Sequence, residues 1–238
     1  MKICLATTNP HKLEEVRAVF DDATDGVVWT TLADLPAALP EPEEDQPTFE
    51  GNAVLKARYY ARHTGRICLA DDSGIEVDAL GGRPGVKSAR YSGVSGPRSV
   101  VDPANNARLL EELETLNATT DDARGARYVC AMSLVVPAAR LDDHPRLRDL
   151  LRPGADDVQI TVRGELPGRI LRPDEAADPA RPAQGRGENG FGYDPLVVLH
   201  DGRTAAEFTP DEKNAVSHRG HATRTLVDAM RVAGLLEG

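Results

Sequence analysis

The chain is 238 residues long, 40% hydrophobic and 28% charged, a balance too apolar for disorder and a length sufficient for a sizeable buried core. Its 38 acidic and 28 basic residues give a formal net charge of -10. That excludes broad, sequence-blind binding to nucleic acid, which needs a basic surface, but not an anionic ligand held by a few local cations.

The opening MKICLATTNP has an apolar run too short for a signal peptide, and no window is long and apolar enough to span a bilayer. The expectation is a cytoplasmic protein with no membrane or nucleic-acid partner. Cys4, Cys68 and Cys130 lie in apolar runs without metal-ligand spacing, so they read as buried free thiols of a reducing compartment.

In chain order, residues 2–7 predict a buried strand. Leu13, Val16, Val19 and Phe20 recur at helical spacing over residues 11–20, with Glu14 and Glu15 on the other face. A second strand is expected over 27–32 and a proline- and glutamate-rich loop over 36–47. A helix follows from Thr48 to near Gly65, with Phe49, Ala53, Ala57, Tyr60 and Ala61 on one face. Residues 67–70 predict a short strand ending at Asp71 and Asp72. A helix over 102–116 and a strong strand over 128–136 come next. Residues 158–162 and 166–171 read as two strands turning near Gly164, and 172–187 as a flexible loop. A strand over 196–199 and a helix over 221–236 close the chain. Strands and helices interleave without a clean linker, which indicates one α/β domain over residues 1–238.

Four stretches could carry chemistry. ATTNPHKLEE runs from a strand into a helix with Lys12 in the first turn, and offers a phosphate cradle or an ordinary helix cap. It lacks the glycines of a Walker loop. Asp71 and Asp72 pose a question, because neighbouring carboxylates repel unless a cation lies between them. Two readings stay open: a solvated turn, or a divalent-cation site with a further carboxylate from Glu43 or Glu44. Arg90 could reach phosphate or tie down its loop. GRGENGFGYDP matches a dinucleotide pattern at Gly185, Gly187 and Gly190, rejected because no strand precedes it and no helix follows. Its Phe191 and Tyr193 could stack on a base or anchor a turn. In EKNAVSHRGHA, Lys213, His218 and Arg219 gather donors before the last helix. His218 and His221 lack a further soft ligand and do not read as a metal site.

Taken together with TFEGNAVLKA, these blocks resemble in order the inosine/xanthosine triphosphate pyrophosphatase family, which hydrolyses non-standard purine nucleoside triphosphates. The resemblance implies an α/β fold with an elongated mixed β-sheet flanked by helices, two lobes and a central cleft, and a homodimer. It implies Mg2+ held by Asp72, Asp71 and Glu44, with Asp72 as general base. Substrate contacts would come from Thr7, Thr8, Asn9, Pro10, His11, Lys12 and Ser73. Phe191 would stack on the base, with Gly192, Tyr193, Asp194, Lys213, His218 and Arg219 around it. The chain departs from the family in length over residues 138–156 and 172–187, both expected to be surface loops. The rivals are a Maf-like pyrophosphatase acting on other nucleotides and a non-catalytic purine nucleotide sensor.

Overall fold

The fold is described from a computed structural model covering residues 1–7, 9–24 and 26–236, with the side chains of Pro10 and His11 outside the description. Strands β1 (Lys2–Leu5), β2 (Val28–Thr31), β3 (Ile67–Val77), β4 (Gly125–Pro137), β5 (Asp157–Ile170) and β6 (Val197–Val198) form one sheet in the order β2-β1-β3-β4-β5-β6. β1 pairs parallel with β2 and β3, whereas β5 and β6 are antiparallel, so the sheet is mixed. The helices are α1 (Pro10–Ala23), α2 (Phe49–Thr64), α3 (Arg98–Thr115), α4 (Pro210–Val216) and α5 (His218–Val232).

Local chemistry sets several of these boundaries. The Thr48 hydroxyl accepts the Gly51 N–H, and Gly65 ends α2 in the left-handed conformation, where a side chain would be strained. Thr209 caps α4 by accepting from Glu212, and Pro210 occupies its first turn.

Contacts divide the chain into two compact units. The first comprises Met1–Asp72, Cys130–Gly164 and Arg219–Gly238; the second comprises Ser73–Val129 and Glu165–His218. In the first unit, alternate strand residues feed two cores. Ile3, Leu5, Ile67, Leu69, Met132 and Leu134 pack with Val16 and Phe20 of α1 and Leu226 and Met230 of α5. Cys4, Ala6, Cys68, Ala70 and Val135 pack with Ala57, Tyr60 and Ala61 of α2. All three cysteines are free and buried. The second unit has its own core around Ile75, Leu109, Leu113, Ile170, Leu196 and Phe208.

Several expectations are corrected. β3 does not stop before the acids but runs through them to Val77, and β5 passes straight through Gly164. α3 begins at Arg98 and carries Pro103 inside it, and α5 begins at His218, after a short α4 that the periodicity did not reveal. Both extensions lie at the surface as expected, but each is tied down. Leu141 and Leu147 of the first are buried in the α1/α5 core. In the second, Glu175 takes two hydrogen bonds from Arg169, Ala176 is buried, and Asn106 donates to the Ala183 carbonyl.

Candidate active site

Successive side chains of a strand point to opposite faces. Asp71 follows Ile67 and Leu69 onto the α1/α5 face, and Asp72 follows Cys68 and Ala70 onto the α2 face. Adjacent in sequence, the two carboxylates thereby face different elements, and the charges of Lys12 and Lys56 act on both.

Asp71 is bound by cations. Its Oδ2 lies 2.8 Å from Lys12 Nζ and 3.5 Å from Arg219 Nε, and Arg219 NH1 reaches Glu15 at 2.5 Å. Burial alone would raise the Asp71 pKa, but the charges of Lys12, Arg219 and Lys56 outweigh it and hold the carboxyl well below its ordinary range. Nearby Cys130 is a thiol, pushed up to about 12 by burial and by Asp71. Asp72 differs. The Asn52 amide donates to its Oδ2 at 2.9 Å, and Lys56 Nζ stands 4.0 Å from Oδ1 while bonding Glu44 at 2.9 Å. Burial raises the Asp72 pKa, and Lys56 and Asn52 offset this only in part. One acid is thus held toward its charged form while burial shifts its neighbour the other way, the divergence expected of groups with different acid–base roles.

At the head of α1, the Thr7 hydroxyl accepts the Asn9 N–H at 3.1 Å and the Asn9 carbonyl accepts the Leu13 N–H. Thr8 lies outside the described residues, as do the Pro10 and His11 side chains. Ser73 is half-buried in β3, directly after the acids.

In the second unit, Asp194 organises the aromatic loop. Its carboxylate accepts the Phe191 N–H at 2.8 Å, the Tyr128 hydroxyl at 2.8 Å and Lys213 Nζ at 2.5 Å. Gly190 has φ +78, and a Cβ there would lie 2.0 Å from the Asp194 carboxylate, so the position requires glycine. The Gly192 N–H donates to Asp102. Phe191 is left 36% exposed with Lys213 Nζ 5.3 Å from its ring centre. Tyr193 is buried and donates to the Ser88 carbonyl at 2.9 Å, which makes it the anchor of this loop. His218 stacks on Tyr128 with ring centres 5.0 Å apart.

The expected residues therefore fall into two groups. Lys12, Asp71, Asp72, Glu44 and Arg219 belong to the first unit, and Phe191, Tyr193, Asp194, Lys213 and His218 to the second. Glu44, not Glu43, is the acid that meets Lys56. Arg219, expected at the base, engages Asp71 and Glu15, because a buried guanidinium needs carboxylate partners. Asp71, expected on the metal, pairs with Lys12 and Arg219. Among the described residues no three His, Cys, Asp or Glu side chains form a metal-binding group. Asn52, Lys56, Glu15 and Tyr128 were not anticipated. Asn52 and Lys56 carried a signal: they are polar residues four apart, recurring beside Phe49, Ala53, Ala57 and Tyr60 on the inward side of α2.

The sequence profile of the Ham1 family matches residues 3–229. A dITP/XTP pyrophosphatase of Mycobacteroides abscessus is 42% identical over 97% of this chain and 95% of its own length. One of Nocardia farcinica is 43% identical over 96% and 94%. Among solved structures, a HAM1 protein of Coxiella burnetii superposes with a TM-score of 0.75 at 33% identity, over 98% of this chain and 99% of that one.

Proposed function

The chain belongs to the Ham1 family, and on that footing we propose that it hydrolyses dITP, ITP, XTP and dXTP to the monophosphate and pyrophosphate, clearing non-standard purines from the cytoplasmic nucleotide pool. The observation that carries this reading is the placement of the acid pair, with Asp71 against Lys12 and Arg219 and Asp72 against Asn52 and Lys56.

Asp72 accepts the proton of the water that attacks the α-phosphorus, and Asn52 fixes its orientation. Asp71 holds Lys12 in place, and Arg219, itself held by Glu15, holds Asp71. Lys12, Thr7, Thr8, Asn9, Pro10, His11 and Ser73 receive the phosphates. Glu44 and Asp72 fit a cation, since both face the Lys56 ammonium, which stands in for one. The groups named around the acids are three cations, Lys12, Lys56 and Arg219, against four carboxylates, Asp71, Asp72, Glu15 and Glu44. A triphosphate entering there lacks positive charge, and bound Mg2+ supplies it.

Phe191 stacks on the base, and Lys213 and His218 supply donors to its edge. Hypoxanthine and xanthine carry an acceptor at O6 where adenine carries an amino donor. A site built on such a polar match discriminates by roughly 10⁴–10⁵. By the same family likeness the protein works as a homodimer.

The test is pyrophosphate release over all common and deaminated triphosphates with Mg2+. Deaminated purines should be cleaved far faster than ATP, with monophosphate and pyrophosphate in equal amounts. A preference for dTTP or UTP would indicate a Maf-like activity. Bound but uncleaved dITP would indicate a sensor.

A further inference from the structure

Arg98, the first residue of α3, places its guanidinium carbon 4.6 Å from the centre of the Phe191 ring. A purine stacked on that face would occupy the same space, so one must yield to the other. Arg98 is the weakly held party. Its side chain is 61% exposed, and its ion pair with Asp102 is 3.9 Å long. Asp102 meanwhile accepts the Gly192 N–H at 2.9 Å, which ties α3 to the aromatic loop. When the guanidinium leaves the ring, the Asp102 contact keeps the start of α3 beside that loop.

We propose that Arg98 is a specificity-determining residue: when a purine stacks on Phe191, the Arg98 guanidinium moves off the ring and donates two hydrogen bonds to O6 and N7 of a 6-oxopurine. The inference rests on the reading that the base stacks on Phe191. The two acceptors lie side by side and match the guanidinium fork, whereas adenine turns one of them into an amino donor. Lys213, a point donor that also binds Asp194, cannot match two adjacent acceptors as a guanidinium fork does. Displacing Arg98 costs the same for every base, so discrimination arises only in the bound state. Guanine shares O6 and N7, so Arg98 does not reject GTP.

The experiment compares kcat/KM for dITP, 7-deaza-dITP and dATP in the wild type, Arg98→Ala, Arg98→Lys and Phe191→Ala. In the wild type, removing N7 should lower efficiency several-fold. In Arg98→Ala the dITP/dATP ratio should fall about fivefold to a hundredfold, the worth of a bidentate contact, and the penalty for 7-deaza-dITP should vanish. Arg98→Lys should keep only part of both preferences. Melting temperatures of the Arg98 variants should match the wild type, because the side chain is exposed. Unchanged dITP/dATP and dITP/7-deaza-dITP ratios in Arg98→Ala would overturn the proposal. Phe191→Ala separates the two levels. If it raises KM while Arg98→Ala shifts no ratio, only the Arg98 inference falls. If KM is unmoved by Phe191→Ala, stacking on Phe191 fails and Arg98 with it.

Discussion

Asp71 and Asp72 differ by one position, and the pleat of β3 turns that difference into opposite chemistry. Asp71→Asn leaves Lys12 and Arg219 without the carboxylate they share, and breaking a buried pair in this way costs about 3 kcal/mol or more. A drop in melting temperature of about 6–12 °C is expected for a chain of this size. Asp72→Asn keeps the shape and removes a charge that burial disfavours. It should melt at or above the wild-type temperature while turnover falls at least about 100-fold, the scale of a lost general base. A stable Asp71→Asn beside an unfolded Asp72→Asn would reverse the assignments. The pH dependence has a definite sign. Asp71 has a folded pKa below its ordinary 3.8, so its stabilisation is complete above that value and is lost as pH falls toward the folded one. Acid unfolding of Asp71→Asn should accordingly be shallower than that of the wild type. The sequence exposed the two acids and the resemblance suggested their roles, but not the partners that set them apart. Those partners are Glu15, Asn52 and Lys56, which only the packing of α1 and α2 brings to them.

At the scale of elements, the misread boundaries share one cause: residues with local turn preferences held in long strands by their neighbours. Asp71-Asp72-Ser73-Gly74 has turn composition, yet pairing keeps it extended, a tertiary override of propensity. Gly74 is present for proximity, not for a turn. A Cβ there would lie 2.3 Å from Ser88 Oγ and 2.9 Å from the Gly85 carbonyl oxygen. Ser88 Oγ in turn accepts the Ile75 N–H at 2.9 Å and donates to the Gly85 carbonyl at 2.6 Å, latching β3 to the turn over Gly85–Arg90. Gly74→Ala should therefore cost about 1–3 kcal/mol by overpacking, read as a lower denaturation midpoint in urea. An unchanged midpoint would show that the turn gives way freely. Helices with both a cap and a periodic face, such as α2, were legible from sequence. α4 was not, because among its seven residues none is buried to mark a face.

At the scale of the whole molecule, charge decides how an anionic substrate approaches. The formal net charge is -10, and the cations of the two side-chain clusters are already paired: Lys12 with Asp71, Lys56 with Glu44, Lys213 with Asp194, and Arg219 with Glu15 and Asp71. At a distance these pairs look close to neutral, so the field that a triphosphate meets is set by the surplus acids and is repulsive. Salt screens such a field. The Debye length shrinks from about 30 Å at 0.01 M to about 10 Å at 0.1 M, which is short compared with the protein. Efficiency at low substrate, with free Mg2+ held constant, should thus rise about twofold to threefold between these ionic strengths, the reverse of an electrostatically steered enzyme. The effect should sit in kcat/KM and leave kcat unchanged, since it concerns approach and not chemistry. A fall in kcat/KM with salt would mean that the paired cations release their carboxylates before the nucleotide arrives and steer it in. The net charge would then be a property of the far surface alone.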